Sequence, residues 1–344
     1  MLVESDVELA SRTTLRVGGR ARFFARVQSE TELAEALEFA DRESLGVRVL
    51  GGGSNVVVPD RGVDALVLSI AIRGLGIERR GERARLTACA GEPWDEVVRA
   101  STDADLGGLE CLSGIPGWVG ATPIQNVGAY GQEIADTLLE VRAFDRAERR
   151  FVVLAASECA FGYRDSRFKS AEPERFVVTE VAFELRAGHV REVRYPELNR
   201  ALRALGRAPE LRDVREAVLA LRRQKSMLLD PGDPNARSCG SFFVNPSVPP
   251  ELALEVERRF ADPTMPRYPQ PDGRVKLSAA WLIERSGFAR GTRSGQVGLS
   301  SRHALALVCH DGASAEELLA FARTIQASVR ERSGVELTPE PVFW

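Results

Sequence analysis

The sequence is poor in the residue types that build metal centres and disulfide scaffolds. It has five scattered cysteines with no Cys-x-x-Cys spacing, and only three histidines in 344 residues. An odd number of widely spaced cysteines favours reduced thiols over disulfides or a zinc site. We therefore expect no metal cofactor, and we expect the protein to reside in the reducing cytoplasm.

The sequence also lacks a strong excess of charge and any long apolar run. Its net charge is −3, which is not the basic footprint of a nucleic-acid-binding protein. No apolar run approaches the roughly 18 residues of a membrane-spanning helix, and the opening MLVESDVELA lacks the basic and apolar regions of a signal peptide. These features predict a protein with no nucleic-acid partner and no membrane insertion.

Lysine is scarce as well, since only Lys169, Lys225 and Lys276 stand among 46 basic residues. Lysine presents a compact ammonium and arginine a planar fork, so the two are not interchangeable at a specific site. We expect the remaining lysines to be enriched for positions that need a compact cation. Lys225 also has a structural explanation, because it ends a predicted helix, where the helix dipole favours a cation.

The apolar patterns predict an α+β protein. Segments such as VRVL, ALVLSI and RFVVTEVAFEL indicate strands in the first 200 residues. Helices are predicted after the capping box of Ser29 and Glu32, after the pair Asp213 and Glu216, and over SAEELLAFARTIQASVRERS, which Gly334 ends.

The pattern of predicted strands and helices changes near residue 205. We therefore predict an N-terminal region 1–205 with two subdomains, roughly 1–70 and 71–205. A smaller α+β domain would cover 206–330, and a final strand would lie in 331–344.

Two glycine-rich segments are candidates for binding a phosphate. The first, Gly51 to Asn55 (GGGSN), lies between two predicted strands, where glycine lets backbone N–H groups approach an anion closely. Its spacing is neither a Rossmann nor a Walker motif, and no helix pattern follows it. A simple hairpin turn remains an alternative for this segment.

The second segment, 113–134 (SGIPGWVGATPIQNVGAYGQEI), contains five glycines together with Gln125 and Asn126. The backbone N–H groups of such glycines can bind a pyrophosphate. The side-chain amides can form hydrogen bonds with a planar heteroaromatic ring. A structural loop is the alternative. Two glycine loops without Rossmann spacing favour a dinucleotide held by loops between two α+β subdomains.

The segment SCGSFFVNP, residues 238–246, places the hydroxyl of Ser241 between a glycine and two phenylalanines. One interpretation is a strand that enters the core with Ser241 facing outward. The other is a hydroxyl that approaches a ligand, with the phenylalanines anchoring the strand. The absence of a Gly-x-Ser-x-Gly elbow argues against a serine hydrolase.

Seven stretches, in order along nearly the whole chain, resemble the UDP-N-acetylenolpyruvoylglucosamine reductase family. They are TTLRVGGRARFF, VLGGGSNVVV, GIPGWVGATPIQNVGAYGQEI, FGYRDSRFK, GSFFVNP, VKLSAAWLIE and LTPEPV. The resemblance implies a noncovalent FAD in a vanillyl-alcohol-oxidase-type fold of two α+β subdomains, plus a smaller C-terminal α+β substrate domain. It also implies NADPH as reductant and UDP-N-acetylglucosamine enolpyruvate as substrate, in peptidoglycan precursor synthesis.

The resemblance further implies roles for individual residues. Ser241 would donate a proton to C2 of the enolpyruvyl group, and Arg164 and Glu340 would stabilise negative charge on its carboxylate. The predicted substrate-binding residues are Tyr195, in a segment similar to the tyrosine-bearing loop of the longer family members, Lys225 and Asn245. The predicted cofactor-binding residues are Gly51, Gly52, Gly53, Ser54, Asn55, Gly114, Ile115, Pro116, Gly117, Gly120, Asn126, Gly128 and Tyr130.

The chain departs from the family pattern at two places. The segment 226–240 is longer than in the enterobacterial members, and Pro341 follows Glu340 near where an arginine is often found. Two other functions stay open: a flavin oxidase of the same fold, and a non-catalytic protein that binds a flavin or nucleotide. The oxidase would be favoured by a covalently attached flavin, for which residues 107–134 offer Cys111 and no histidine. We expect a monomer.

Overall fold

The chain folds into two units made of interleaved segments, and the computed structural model describes all 344 residues. Unit 1 comprises Met1–Val7, Ala21–Gly53 and Asp64–Leu228, and unit 2 comprises Glu8–Arg20, Ser54–Val63 and Leu229–Trp344. These units group residues by spatial proximity. The sequence-derived boundaries near 205 and 330 stay predictions of domain limits.

Seven α-helices alternate with short and long strands. The helices are α1 (Glu30–Arg42), α2 (Trp94–Asp103), α3 (Pro196–Arg203), α4 (Leu211–Gln224), α5 (Pro250–Phe260), α6 (Ala279–Arg285) and α7 (Ala315–Ser333). The strands of the first half are β1 (Val3–Glu8), β2 (Arg20–Val27), β3 (Gly46–Leu50), β4 (Val56–Val57), β5 (Val63–Ile70), β6 (Leu75–Arg80), β7 (Arg83–Cys89), β8 (Leu106–Gly107), β9 (Gly128–Ala129), β10 (Gln132–Glu133), β11 (Leu138–Asp145), β12 (Arg150–Ala155) and β13 (Phe176–Ala187). The strands of the second half are β14 (Ser247–Val248), β15 (Arg267–Pro269), β16 (Val275–Leu277), β17 (Arg293–Ser294), β18 (Val297–Leu299), β19 (Leu307–Cys309) and β20 (Val342–Phe343).

Unit 1 contains two main sheets. The first has the order β1-β2-β5-β3, and the second has the order β12-β11-β13-β7-β6, with β8 also pairing with β13. β13 is the longest strand, and its side chains are mostly buried. A strand that is buried on both faces reads as a nearly continuous apolar run rich in β-branched and aromatic residues, which explains FVVTEVAFEL.

Helix α1 covers the first sheet because its apolar residues recur at helical spacing. Leu33, Ala36, Leu37 and Ala40 are buried in one cluster with residues of β2, β3 and β5. Ser29 caps the helix, since its hydroxyl accepts a hydrogen bond from the N–H of Glu32 at 3.1 Å. The predicted start of this helix is confirmed.

The predicted start of α4 is wrong by one turn. The helix begins at Leu211, and the carboxylate of Asp213 accepts a hydrogen bond from the N–H of Glu210 at 2.7 Å. Asp213 is therefore the third helical residue and not the cap. Leu211 is buried, which extends the apolar face of α4 by one turn beyond the expected beginning.

Unit 2 packs three helices around short sheets. Its sheets have the orders β14-β16-β15, β17-β18-β19 and β20-β4, and α5, α6 and α7 cover one continuous apolar core. Phe242 and Phe243 lie in this core with 0% and 1% of their surface exposed. Gly334 ends α7 with a φ of 76°, a left-handed conformation that glycine adopts without strain.

None of the helices combines the length and the apolar character that crossing a membrane requires.

Candidate active site

The two glycine loops of unit 1 approach each other closely. A Cβ atom built on Gly52 would lie 2.8 Å from the Cα of Gly117, which is closer than real Cβ atoms come to other atoms. β3, which precedes the first loop, pairs in parallel with β5, and β4, which follows it, pairs with β20. The first loop is therefore not the hairpin turn that was an alternative.

Left-handed backbone shapes the same loops. Gly53, Gly114 and Gly117 have φ angles of 65°, 71° and 115°. Residues in this conformation turn successive N–H groups into a concavity that binds anions. We call residues 51–53 and 113–120 the glycine cradle; it includes the predicted cofactor residues Ile115, Pro116 and Gly120.

An ion pair that the sequence analysis missed holds the glycine cradle in place. Asp95 of α2 accepts a hydrogen bond from the N–H of Gly114 at 2.6 Å, and Arg215 of α4 donates to both its carboxylate oxygens at 2.7 and 2.8 Å. Burial opposes ionisation of Asp95, but the hydrogen bonds from Arg215 and Gly114 outweigh it and lower the pKa. Asp95 and Arg215 are 120 positions apart, so no sequence motif links them.

Asn126 is a scaffold residue as well as a predicted cofactor residue. It is buried with a φ of 44°, and its amide nitrogen donates to Glu133 at 2.8 Å and to the carbonyl of Gly162 at 2.9 Å. Its amide oxygen accepts from the N–H of Ala135 at 3.0 Å. Since both amide protons are used, a hydrogen bond that Asn126 donates to the cofactor would come from its backbone N–H.

Arg164 lies beside Gly128 in unit 1. Its Nη2 donates to the carbonyl of Gly128 at 2.6 Å, and a Cβ atom on Gly128 would lie 2.9 Å from Nη1. Arg164 itself has a φ of 56°. A residue other than glycine in this conformation costs about 1 kcal/mol or more, and such residues cluster at functional sites. The predicted catalytic arginine and a predicted cofactor glycine are therefore neighbours.

Two of the predicted substrate residues also lie together in unit 1. Tyr195 precedes α3 and Lys225 follows α4, and the Lys225 ammonium lies 5.9 Å from the centre of the Tyr195 ring. The Tyr195 ring packs edge-on against Tyr130, with ring centres 5.1 Å apart. The ammonium of Lys225 also donates a hydrogen bond to the carboxylate of Glu197.

In unit 2, backbone pairing brings the segments of Ser241 and Glu340 together. The N–H of Glu340 donates to the carbonyl of Phe242 at 2.9 Å, and Phe243 pairs with Pro339. Phe242 and Phe243 are buried, whereas Ser241 is half-buried and follows Gly240, whose φ is 75°. The buried phenylalanines thus fix an irregular segment, joined to Pro339 by a single β-bridge, that begins directly after Ser241.

The other predicted site residues of unit 2 adjoin this pairing. The amide nitrogen of Asn55 lies 3.5 Å from the carbonyl oxygen of Glu340, and the N–H of Val342 donates to the carbonyl of Asn55 at 3.0 Å. The amide oxygen of Asn245 accepts from the N–H of Ala279, the first residue of α6, at 2.9 Å. This bond leaves the amide nitrogen of Asn245 as the group that would donate to a ligand.

The cysteines near these segments are poor nucleophiles. Cys239 is buried, and burial first, followed by the proximity of Cys309 and Glu340, raises the pKa of its thiol. Burial also raises the pKa of Cys111 to about 12. Thiols with such pKa values are protonated at neutral pH and do not attack a flavin readily. No group of three or more metal-ligating side chains is found in the chain.

Comparison with known proteins decides the family. Residues 233–344 match the family model of the UDP-N-acetylenolpyruvoylglucosamine reductase C-terminal domain, and residues 21–153 match that of an FAD binding domain. The chain is similar to the UDP-N-acetylenolpyruvoylglucosamine reductases of Thermobifida fusca (47% identity, covering 98% of this chain and 97% of that protein) and Streptomyces avermitilis (45% identity, covering 98% and 93%). It belongs to the UDP-N-acetylenolpyruvoylglucosamine reductase family.

A solved structure agrees with this assignment. The reductase of Thermus caldophilus superposes with a TM-score of 0.68 at 28% identity, over 100% of this chain and 99% of that one. The predicted α+β class with an FAD-binding fold of the vanillyl-alcohol-oxidase type is confirmed. The chain is accordingly an FAD-dependent oxidoreductase, and FAD is its cofactor, as predicted.

The glycine cradle fits this cofactor. At Gly52 the space that a side chain would need is filled by the backbone of Gly117, so the two loops approach closely at this point. A pyrophosphate is bound by closely approaching backbone N–H groups in this kind of loop. Within the UDP-N-acetylenolpyruvoylglucosamine reductase family, the cradle residues of this chain are therefore suited to hold the FAD pyrophosphate.

Proposed function

We propose that the chain reduces UDP-N-acetylglucosamine enolpyruvate to UDP-N-acetylmuramate, with NADPH as the reductant. The names of the relatives support this substrate. The structural observation that carries the proposal is the hydrogen bond from the N–H of Glu340 to the carbonyl of Phe242, because it holds the segment of Glu340 next to the segment of Ser241.

The chemistry explains why acidic groups are needed. FAD held by the glycine cradle would supply the hydride for C3 of the enolpyruvyl group, with NADPH as its source. An enol ether is electron-rich, so this addition requires negative charge to move onto the carboxylate and a proton to reach C2. Ser241 donates that proton, and Glu340, in its protonated form, donates a hydrogen bond to the carboxylate.

Arg164 would orient the same carboxylate. Its planar guanidinium has five N–H donors, of which the bond from Nη2 to the Gly128 carbonyl uses one. That bond, together with the hydrogen bond from Lys169 to the Arg164 carbonyl at 3.0 Å, restrains the residue. A restrained guanidinium loses little freedom on binding, so more of its interaction energy is available for stabilising charge.

Tyr195, Lys225 and Asn245 would bind the uridine diphosphate. Lys225 lies at the C-terminus of α4 and presents its ammonium next to the Tyr195 ring, which is 37% exposed. An aromatic face beside a cation suits a nucleotide, whose base stacks and whose phosphates pair with the ammonium.

We further propose that the flavin is noncovalent and that the protein is a cytoplasmic monomer. The raised pKa of Cys111 supports a noncovalent flavin, because a protonated, buried thiol does not form the bond that a flavin oxidase with a covalent cofactor would need. Heat or acid should therefore release all of the flavin, as FAD, into solution. Flavin that stays with the denatured polypeptide would contradict this part of the proposal.

An anaerobic titration tests the reaction. NADPH should bleach the visible absorbance of the purified yellow protein, and added UDP-N-acetylglucosamine enolpyruvate should restore it with formation of UDP-N-acetylmuramate. A protein that NADPH does not bleach, or that molecular oxygen reoxidises and the enolpyruvyl substrate does not, would contradict the proposal.

A further inference from the structure

Four side chains of unit 1 form a cluster at the ends of α3 and α4. They are Tyr130, Tyr195, Glu197 and Lys225, and we call them the lysine cluster. The two tyrosine rings meet edge to face at 82°, and Lys225 lies over the Tyr195 ring. Helices α3 and α4 are packed through Leu198, Leu202, Val214 and Val218, so the cluster rests on a buried apolar contact.

Lys225 is already neutralised within this cluster. Its ammonium donates to the carboxylate of Glu197, the second residue of α3. Burial disfavours the charged form of Lys225, but the hydrogen bond to Glu197 outweighs it and raises the pKa. The side chain of Lys225 is 27% exposed and that of Glu197 is 45% exposed, so both are accessible to a ligand from solution.

A diphosphate that binds Lys225 must compete with this carboxylate. An ammonium has three N–H donors, so the ligand either shares the cation with Glu197 or displaces it. In both cases a fixed negative charge lies within a few ångströms of the incoming phosphates. Like charges at such a distance repel, and the partial burial of the cluster keeps the repulsion from being fully screened.

We propose that Glu197 is a built-in competitor for the diphosphate of the substrate, and that it weakens the binding of both substrate and product at Lys225. The inference rests on the proposed function, because it needs Lys225 to be the diphosphate contact. Glu197 holds the cation in place while the site is free of nucleotide. It also lowers the barrier to product release, since it can recover the ammonium as the diphosphate leaves.

Replacing Glu197 by glutamine tests the competition in the FAD-loaded enzyme. The dissociation constant of UDP-N-acetylglucosamine enolpyruvate is measured from the change in flavin absorbance, with oxidised enzyme and without NADPH. Glu197→Gln should lower this constant by about three- to tenfold and slow dissociation by a similar factor. The difference from the wild type should shrink as the salt concentration rises.

Glu192→Gln is the matched control. Glu192 lies nearby in sequence, is exposed, and pairs with Arg194 at 3.0 Å rather than with Lys225. Glu192→Gln removes the same charge as Glu197→Gln, so its effect on the dissociation constant measures the general electrostatic contribution alone. Equally tighter substrate binding by both variants would overturn the proposal. Weaker substrate binding by Glu197→Gln would also overturn it, because it would show that Glu197 orients Lys225 for the ligand.

Lys225→Met separates this inference from the proposed function. If Lys225 contacts the diphosphate, the variant should bind the substrate at least tenfold more weakly with unchanged FAD content. If Lys225→Met binds the substrate normally, the assignment of Lys225 fails and the inference fails with it. If Lys225→Met weakens binding while Glu197→Gln matches the wild type, only the role of Glu197 is overturned.

Discussion

The glycine cradle of unit 1 and the bridged segments of Ser241 and Glu340 in unit 2 position their functional groups by different means. In the cradle, the backbones at Gly52 and Gly117 approach so closely that a side chain would not fit between them. In unit 2, Phe242 and Phe243 are buried anchors, and Ser241 directly precedes them in a segment that a β-bridge joins to Pro339. The cradle offers backbone donors, whereas the bridged segments offer side-chain acids.

This difference has consequences for substitution. Every residue except proline offers the same backbone N–H group, so the cradle is sensitive to the volume of a side chain and to the sign of φ. A segment that holds a reactive side chain is sensitive to the chemistry of that side chain. Substitutions in the glycine cradle should therefore lower cofactor binding, and substitution of Ser241 should lower catalysis.

The largest effect is expected from Ser241→Ala in unit 2. If Ser241 supplies the proton to C2, flavin reoxidation by the enolpyruvyl substrate should slow by about 10²–10⁴-fold. Reduction of the flavin by NADPH needs no proton from Ser241 and should keep its normal rate. Stopped-flow absorbance separates the two half-reactions.

Ser241→Cys is the control for this prediction. A thiol is still a proton donor, so this variant should retain more activity than the alanine variant. Normal reoxidation of Ser241→Ala by the substrate would mean that Ser241 is not the acid. The better interpretation of Ser241 would then be an outward-facing residue at the start of a strand.

The next largest effect is expected from Gly52→Ala in unit 1. The new methyl group would lie 2.8 Å from the Cα of Gly117, so one loop must move. Overpacking of this kind costs about 1–3 kcal/mol, which predicts roughly tenfold to hundredfold weaker FAD binding. The ratio of FAD to polypeptide after dialysis measures the loss.

Gly51→Ala is the matched control within the same loop. Its methyl group would meet only the Cβ of Ala121, at an ordinary distance of 3.7 Å, and Gly51 is not among the glycines at positive φ. This variant should retain its FAD. If both variants lost the cofactor equally, general flexibility of the loop, and not close approach to Gly117, would explain the loss.

A smaller effect is expected from Asp95→Asn, which weakens the ion pair behind the cradle. Loss of the charge-assisted hydrogen bonds to Arg215 and Gly114 should weaken FAD binding by roughly 1–2 kcal/mol. Asp103→Asn, which removes an exposed carboxylate at the end of the same helix, should leave FAD binding unchanged. Equal FAD affinity of Asp95→Asn and the wild type would show that the pair does not hold the cradle.

The pH dependence gives a second measurement of Asp95. Its pKa is lower in the folded protein than in the unfolded chain, where it is about 3.9. The carboxylate therefore stabilises the fold above pH about 4, and this stabilisation is lost as the pH falls through the folded-state pKa. The free energy of unfolding of the wild type should fall more steeply below pH 4 than that of Asp95→Asn.

Local patterns were sufficient to predict several elements. α1 begins after Ser29, β13 covers FVVTEVAFEL, and α7 runs from the capping box of Ser314 to Gly334. In each case the residues that specify the element lie within the element or next to it. The start of α4 was missed because Asp213 resembles a cap when burial of Leu211 is unknown.

The candidate site was predictable in composition but not in arrangement. Glycine density indicated the cradle, but the approach of Gly52 to Gly117 joins segments 65 residues apart. The pairing of Phe243 with Pro339 spans a still longer separation. Hydrophobic periodicity shows which face of an element is buried and not which element covers it, so such contacts need the fold. The pairs of Asp95 with Arg215 and of Lys225 with Glu197 escaped the sequence analysis for the same reason.

The smallest effect is expected from Ser314→Ala, at the helix that supports the core of unit 2. The Ser314 hydroxyl accepts from the N–H of Glu317 at 3.0 Å, and the Asp60 carboxylate accepts from the N–H groups of Ala315 and Glu316 at 2.8 and 2.9 Å. Loss of a cap costs about 1 kcal/mol. In chemical denaturation, the free energy of unfolding of Ser314→Ala should be lower than that of the wild type by about this value. Its FAD content and its rate of reduction by NADPH should be unchanged.

Thr324→Ala is the control, because it also removes a hydroxyl from α7, but in the exposed middle of the helix. The Thr324 hydroxyl bonds only the carbonyl of Ala320, one turn back, and alanine has the higher helix propensity. This variant should therefore be as stable as the wild type or slightly more stable. If Ser314→Ala also released FAD, the stability of unit 2 would be coupled to the cradle, and the cradle could not be treated as a separate determinant of cofactor binding.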